Sequence, residues 1–241
     1  MRLLGNLTYA ELRKLADARG TRWFIGAIIT TVLALTTLPV AFSRGEERVS
    51  AAALVEMSQL PLTLGLPILA MIVAASDWHA GIIGWSFVVV PQRSRILAAK
   101  ILATVCIAAI AAVIVLTWAV CVAAVAAAAT GRSADYSIST DSLSSFGALA
   151  ATTLSAFSIA SLTLSVIVSI VVLLTGEAIV SLALSQVAPS VVPWATMSFP
   201  ELGMASPSDW AQFACGALLW VGLPLLAAFI RQTRMEVRWG S

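Results

Sequence analysis

Between residues 101 and 129 the chain runs without a single charged side chain. About 20 such residues in a helix already cross the ~30 Å of hydrocarbon in a bilayer, and a helix keeps every backbone amide bonded where water is absent. This run therefore reads as a membrane span. Composition agrees, because 60% of the 241 residues are hydrophobic and only 11% are charged, against about 25% in a soluble domain. The mean hydropathy is +0.97. There is room for about six spans and little else, which excludes a soluble enzyme and a disordered scaffold. A formal charge of +2 with no long charge run excludes a nucleic-acid reader. No G-x-x-x-x-G-K-S/T phosphate loop is present, so the chain is no self-contained ATP-driven pump.

Hydropathy places spans at residues 23–42, 60–75 with an entry as early as residue 51, 101–129 and 211–230. Residues 146–187 carry one charge, Glu177, and by length alone make two more short spans. An even count puts both termini on one side, where Lys and Arg should crowd. Eleven of the fourteen do so: Arg2, Arg13, Lys14, Arg19 and Arg22, then Arg93, Arg95 and Lys100, then Arg231, Arg234 and Arg238. Only Arg44, Arg48 and Arg132 fall in the opposite loops. Both termini are expected to be cytoplasmic. The polar, basic start is not expected to be a cleavable signal peptide, and Cys106, Cys121 and Cys215 read as small packing residues rather than a disulfide framework.

Two segments ask for more than a span. Residues 8–20 carry a T-x-x-E capping box at Thr8 and Glu11 and a stop at Gly20, which predicts a short amphipathic helix along the membrane surface. Tyr9, Leu12, Leu15 and Ala16 would share its apolar face, with Glu11, Arg13, Lys14 and Asp17 opposite. Residues 77–100 connect two spans at far greater length than a hairpin needs. They are semi-apolar and interrupted by Gly81, Gly84 and Pro91, and so suit a segment that presents Trp78, Trp85 and Phe87 to a partner or to lipid headgroups. His79, the only histidine, has Asp77 as its sole neighbouring ligand type, so packing is favoured over catalysis or metal binding. Arg93 and Arg95 are expected to anchor to lipid phosphate.

This connection resembles the one between the second and third spans of ABC-2-type transporter permeases of bacteria. The resemblance rests on Asp77, Trp78, His79, Gly81, Pro91, Arg93, Arg95 and Lys100, and on the Glu11-Leu12-Arg13-Lys14-Leu15 stretch, which is similar to the surface elbow helix of that family. It implies an all-α polytopic protein with six transmembrane helices in a single permease domain over residues 1–241. Residues 8–20 would be the elbow, 77–90 a cytoplasmic coupling segment that includes Trp85 and Phe87, and 178–210 an outer segment with short re-entrant helices before the last span. The resemblance further implies a second permease copy or homologous permease, two separate ATPase subunits that hold ATP and Mg, and no cofactor, metal or catalytic residue in this chain. The setting would be a bacterial cell membrane. A cytoplasmic turn near residues 158–161 would separate the fourth and fifth spans, the fifth ending near Glu177.

Glu177 is the one ionisable residue in the apolar interior, where an unpaired charge costs several kcal/mol. It is either functional or a cap at the outer surface paired with Arg44, Arg48 or Arg132. Ser155, Ser158, Ser161, Ser165 and Ser169 would line one helix face and suggest interhelical hydrogen bonds. The expected function is export of an amphipathic or hydrophobic substrate such as a drug, an antimicrobial peptide or a lipid-like molecule. A non-transporting anchor or sensor subunit that docks a cytoplasmic partner is the alternative. An intramembrane hydrolase is disfavoured, since there is no G-x-S-x-G motif and His79 is remote from the serine-rich stretch.

Overall fold

The computed structural model describes residues 2–42, 48–79 and 93–234. In chain order these form α1 (Arg2–Asp17), α2 (Arg19–Phe42), β1 (Arg48–Ser50), α3 (Ala51–His79), α4 (Arg93–Thr130) and β2 (Ser133–Asp135). There follow α5 (Thr140–Thr163), α6 (Val166–Val187), a 3₁₀ turn (Pro189–Val191), α7 (Val192–Ala195), α8 (Pro207–Ala217), a π-helical turn (Leu218–Gly222) and α9 (Leu223–Arg234). Among the described residues six helical stretches are long and apolar enough to cross a membrane, the sixth being α8, the π turn and α9 taken together.

The bundle is built on α3 and α5, each 56% buried along its most apolar window, while α6 is 6% and α2 17% buried. Small side chains let this pair approach closely: Ala70, Ala74, Ala156 and Ala160 are buried around Met71 and Phe157. A second cluster joins Leu54, Leu62, Leu66 and Leu69 of α3 to Val32, Val115, Ala119 and Leu149. Trp118 of α4 donates its indole N–H to the buried Thr36 hydroxyl of α2 at 3.0 Å, a polar tie where water cannot compete. At one end, here called the head, β1 and β2 pair in parallel with Arg48 opposite Ser133 and Ser50 opposite Asp135. The other end, the foot, holds Lys14, Asp77 and Lys100.

Several boundaries differ from expectation for identifiable reasons. The first helix begins at Arg2, so Thr8 is no N-cap; its hydroxyl donates back to the Leu4 carbonyl at 2.9 Å. Nor does Gly20 stop it. The break lies at Ala18, which bonds to Lys14 on one side and accepts from Arg22 on the other, so α1 and α2 are nearly continuous and Gly20 sits inside α2. The α5–α6 turn falls at Leu164 and Ser165 instead of 158–161, with Leu164 in the left-handed region at φ 58°. Finally, α6 runs ten residues beyond Glu177, to Val187, where an uninterrupted apolar helix outweighs one acid.

Candidate functional site

At the foot, three elements converge on a closed ring of four charges. Lys14 of α1 reaches Glu11 at 2.7 Å and Asp77, near the end of α3, at 3.2 Å. Lys100 of α4 reaches the other oxygen of each acid, Glu11 Oε2 and Asp77 Oδ2, both at 3.1 Å. It also donates to the Val73 carbonyl of α3 at 2.7 Å. Asp77 Oδ2 lacks hydrogen-bond geometry and meets Lys100 as a charge contact. The side chains of Lys100, Glu11 and Asp77 are 6%, 9% and 1% exposed and Lys14 is 41% exposed, so two cations and two anions neutralise each other largely out of water. Burial pushes the Lys14 ammonium down, but its hydrogen bond and charge contact with Glu11, and the charge of Asp77, outweigh it and hold the pKa above the ordinary lysine range.

Helical spacing explains the placement. Thr8, Glu11 and Leu15 recur at three- and four-residue intervals and are the buried face of α1, whereas Tyr9 is exposed. Glu11 thus lies on the inner face, contrary to the expectation that it would face outward, because its partners sit on α3 and α4. Arg13 remains outside the ring, pairing with Asp17 at 3.6 Å on the open surface. Arg95 is exposed near the start of α4. Trp78 and His79 close α3 and Arg93 opens α4. Gly81, Trp85, Phe87 and Pro91 lie outside the described residues.

A second polar arrangement, not foreseen as a unit, binds α5 to the last span. Pro224 has no N–H to offer the carbonyl four residues earlier, that of Trp220, and the chain passes through a π turn there. Ser155 and Ser158 donate to that carbonyl at 3.3 and 3.0 Å. The Trp220 indole N–H in turn donates to the Ala195 carbonyl of α7 at 2.8 Å. At the foot, Arg231 and Gln232 donate to the last carbonyls of α5, those of Leu162 and Ser161. The serine row signalled this contact; its partner was hidden because the signal for it is a proline almost seventy residues later.

Glu177 stands midway along α6, about 15–17 Å from either end at 1.5 Å per residue. Its Oε1 accepts from the Met197 N–H at 2.9 Å, so its cap comes from the backbone after α7. Among the described residues it makes no ion pair. Arg48 lies at the head in β1, where the nearby acid is Asp135 of β2, and Arg44 lies outside the described residues. Beside Glu177 a groove of about 520 Å³ runs between α3, α5 and α6. Among known proteins, no family model and no curated relative matches this chain, and a functional reading rests on the geometry above.

Proposed function

We propose that the chain is a permease subunit of an ATP-driven exporter of the ABC-2 type, working with a second permease and two separate ATPase subunits. The observation that carries this reading is the charge ring. It fastens α1 to the ends of α3 and α4, the two helices joined by residues 80–92. A partner that pushes on that connection would displace α1, α3 and α4 together, since a neutralised buried ring resists separation of its members. In this reading α1 is the elbow, 77–90 the coupling segment resting on an ATPase, and the chain after α6 dips back into the membrane where Met197 meets Glu177. Both termini face the cytoplasm, in keeping with the distribution of Lys and Arg. Export of an amphipathic substrate is the transport activity.

Purification in mild detergent from the native membrane should recover a soluble subunit bearing a phosphate loop, together with ATPase activity. Gly81→Trp should abolish both recovery of that subunit and efflux while leaving the chain in the membrane. Normal efflux from this variant would overturn the reading. Recovery of the chain alone, under conditions that keep comparable complexes intact, would favour an anchor or sensor.

A further inference from the structure

We infer that the groove beside Glu177 is a binding site for an amphipathic organic cation, its charged head against the Glu177 carboxylate and its apolar body toward Met71 and Ile170. The groove follows α6 from Ile170 to Ser181, about 16 Å at 1.5 Å per residue, and its 520 Å³ falls in the range of small-molecule sites. Its two halves differ in chemistry. Around Glu177 stand Thr63, Ser181 and Thr196, while the half nearer the foot is walled by Ile68, Met71, Ile170 and Leu173. Among the described residues, Glu177 is the only ionisable side chain in the lining, and none of them supplies a cation to neutralise it. Pro67, also in the wall, has no N–H and so adds no donor to that side of the helix.

An acid placed halfway along a membrane-length helix is costly unless paired, protonated or wet. One hydrogen bond from Met197 serves a single oxygen and supplies no charge. A ligand ammonium or phosphonium would supply it, and the apolar half of the groove would bury the remainder of such a molecule. An anionic or purely hydrocarbon occupant fits the apolar half alone and meets repulsion or an unpaired charge at the other. The groove's role as a cargo site rests on the permease reading; the binding does not.

The test measures equilibrium binding of tetraphenylphosphonium to the full chain in phosphatidylcholine nanodiscs, without ATP, alongside tetraphenylborate, which has the same shape and the opposite charge. The cation should bind saturably and the anion at least tenfold more weakly. Glu177→Gln keeps an acceptor for Met197 and so keeps the fold, and should weaken cation binding at least tenfold, with Glu177→Asp intermediate. Equal binding of both ions, or unchanged binding to Glu177→Gln, would overturn the proposal and leave the groove a crevice for lipid tails. Ala178→Trp should block cation binding by filling the groove. If it instead dissociated a dimer and left cation binding intact, the groove would belong to a second copy of the chain. Each of these failures leaves ATPase recovery untouched, so the permease reading would stand with a different cargo.

Discussion

Replacing Lys100 by Met keeps the volume of the side chain and removes its charge, leaving Glu11 and Asp77 with Lys14 alone. The loss covers two carboxylate contacts at 3.1 Å and a carbonyl bond at 2.7 Å, all at an almost wholly buried ammonium. Breaking a buried pair by deleting one partner costs about 3–5 kcal/mol, mostly the penalty of the stranded charge. Because Lys14 still touches both acids and is partly in water, the lower end applies, about 3 kcal/mol. Adding Glu11→Gln returns the site to one cation and one anion and should recover about 1–2 kcal/mol, a coupling in the range seen for residues of one network. Thermal unfolding in nanodiscs followed by tryptophan fluorescence measures the stability. Trypsin cleavage at the exposed Arg13 reports whether α1 has come away. A single variant within 1 kcal/mol of the parent, or a double variant whose losses simply add, would show that the ring does not act as a unit.

The Ser155→Ala/Ser158→Ala pair should cost roughly 1–3 kcal/mol by removing both hydroxyl donors to the Trp220 carbonyl, and Pro224→Ala, which restores a helical N–H, should erase much of that loss in the triple variant. Gly216→Ala should prevent α8 from packing, because its new Cβ would strike the backbone of Thr196; loss of protease resistance between α7 and α8 is the readout. Leu164→Gly should be neutral to stabilising by ~1 kcal/mol through relief of the left-handed conformation, whereas Leu164→Val should destabilise. Lys14 has its pKa raised on folding, so its contribution to α1 docking is complete below the ordinary value of 10.5 and disappears only as pH climbs past the raised one. Trypsin sensitivity at Arg13 should therefore stay flat from pH 7 to 10, and a rise near neutrality would contradict this.

The spans were legible because hydropathy over twenty residues is a property of the stretch itself. Their ends were less so, because partners distant in sequence decide them. Residue 101 marks where charge stops, yet α4 starts at Arg93, its basic first turns continuing to Lys100, which meets acids 23 and 89 positions away in the chain. Glu11 looked like a surface residue on local periodicity for the same reason, and Thr8 looked like a cap because only tertiary packing reveals that the helix extends behind it. The α5–α6 turn had no glycine to announce it. Leu164 takes a conformation unusual for its type, held by Thr163, which bonds the Ser169 hydroxyl at 2.7 Å, and by Arg231 from the last span. Within the site, the residue identities of the ring were all visible; their meeting was not, since nothing local pairs position 11 with 100.

The small parallel pairing of β1 with β2 has a mechanical consequence. Strand β1 leads directly into α3, and β2 follows α4 after two residues, so these two helices are clasped at the head as well as at the foot. A hairpin fastened at only one end can open like scissors; one fastened at both is a truss, free to tilt or slide as a whole but not to splay. Force applied to one end of such a truss arrives at the other about 43 Å away, the length of α3 at 1.5 Å per residue, with little lost to bending between its members.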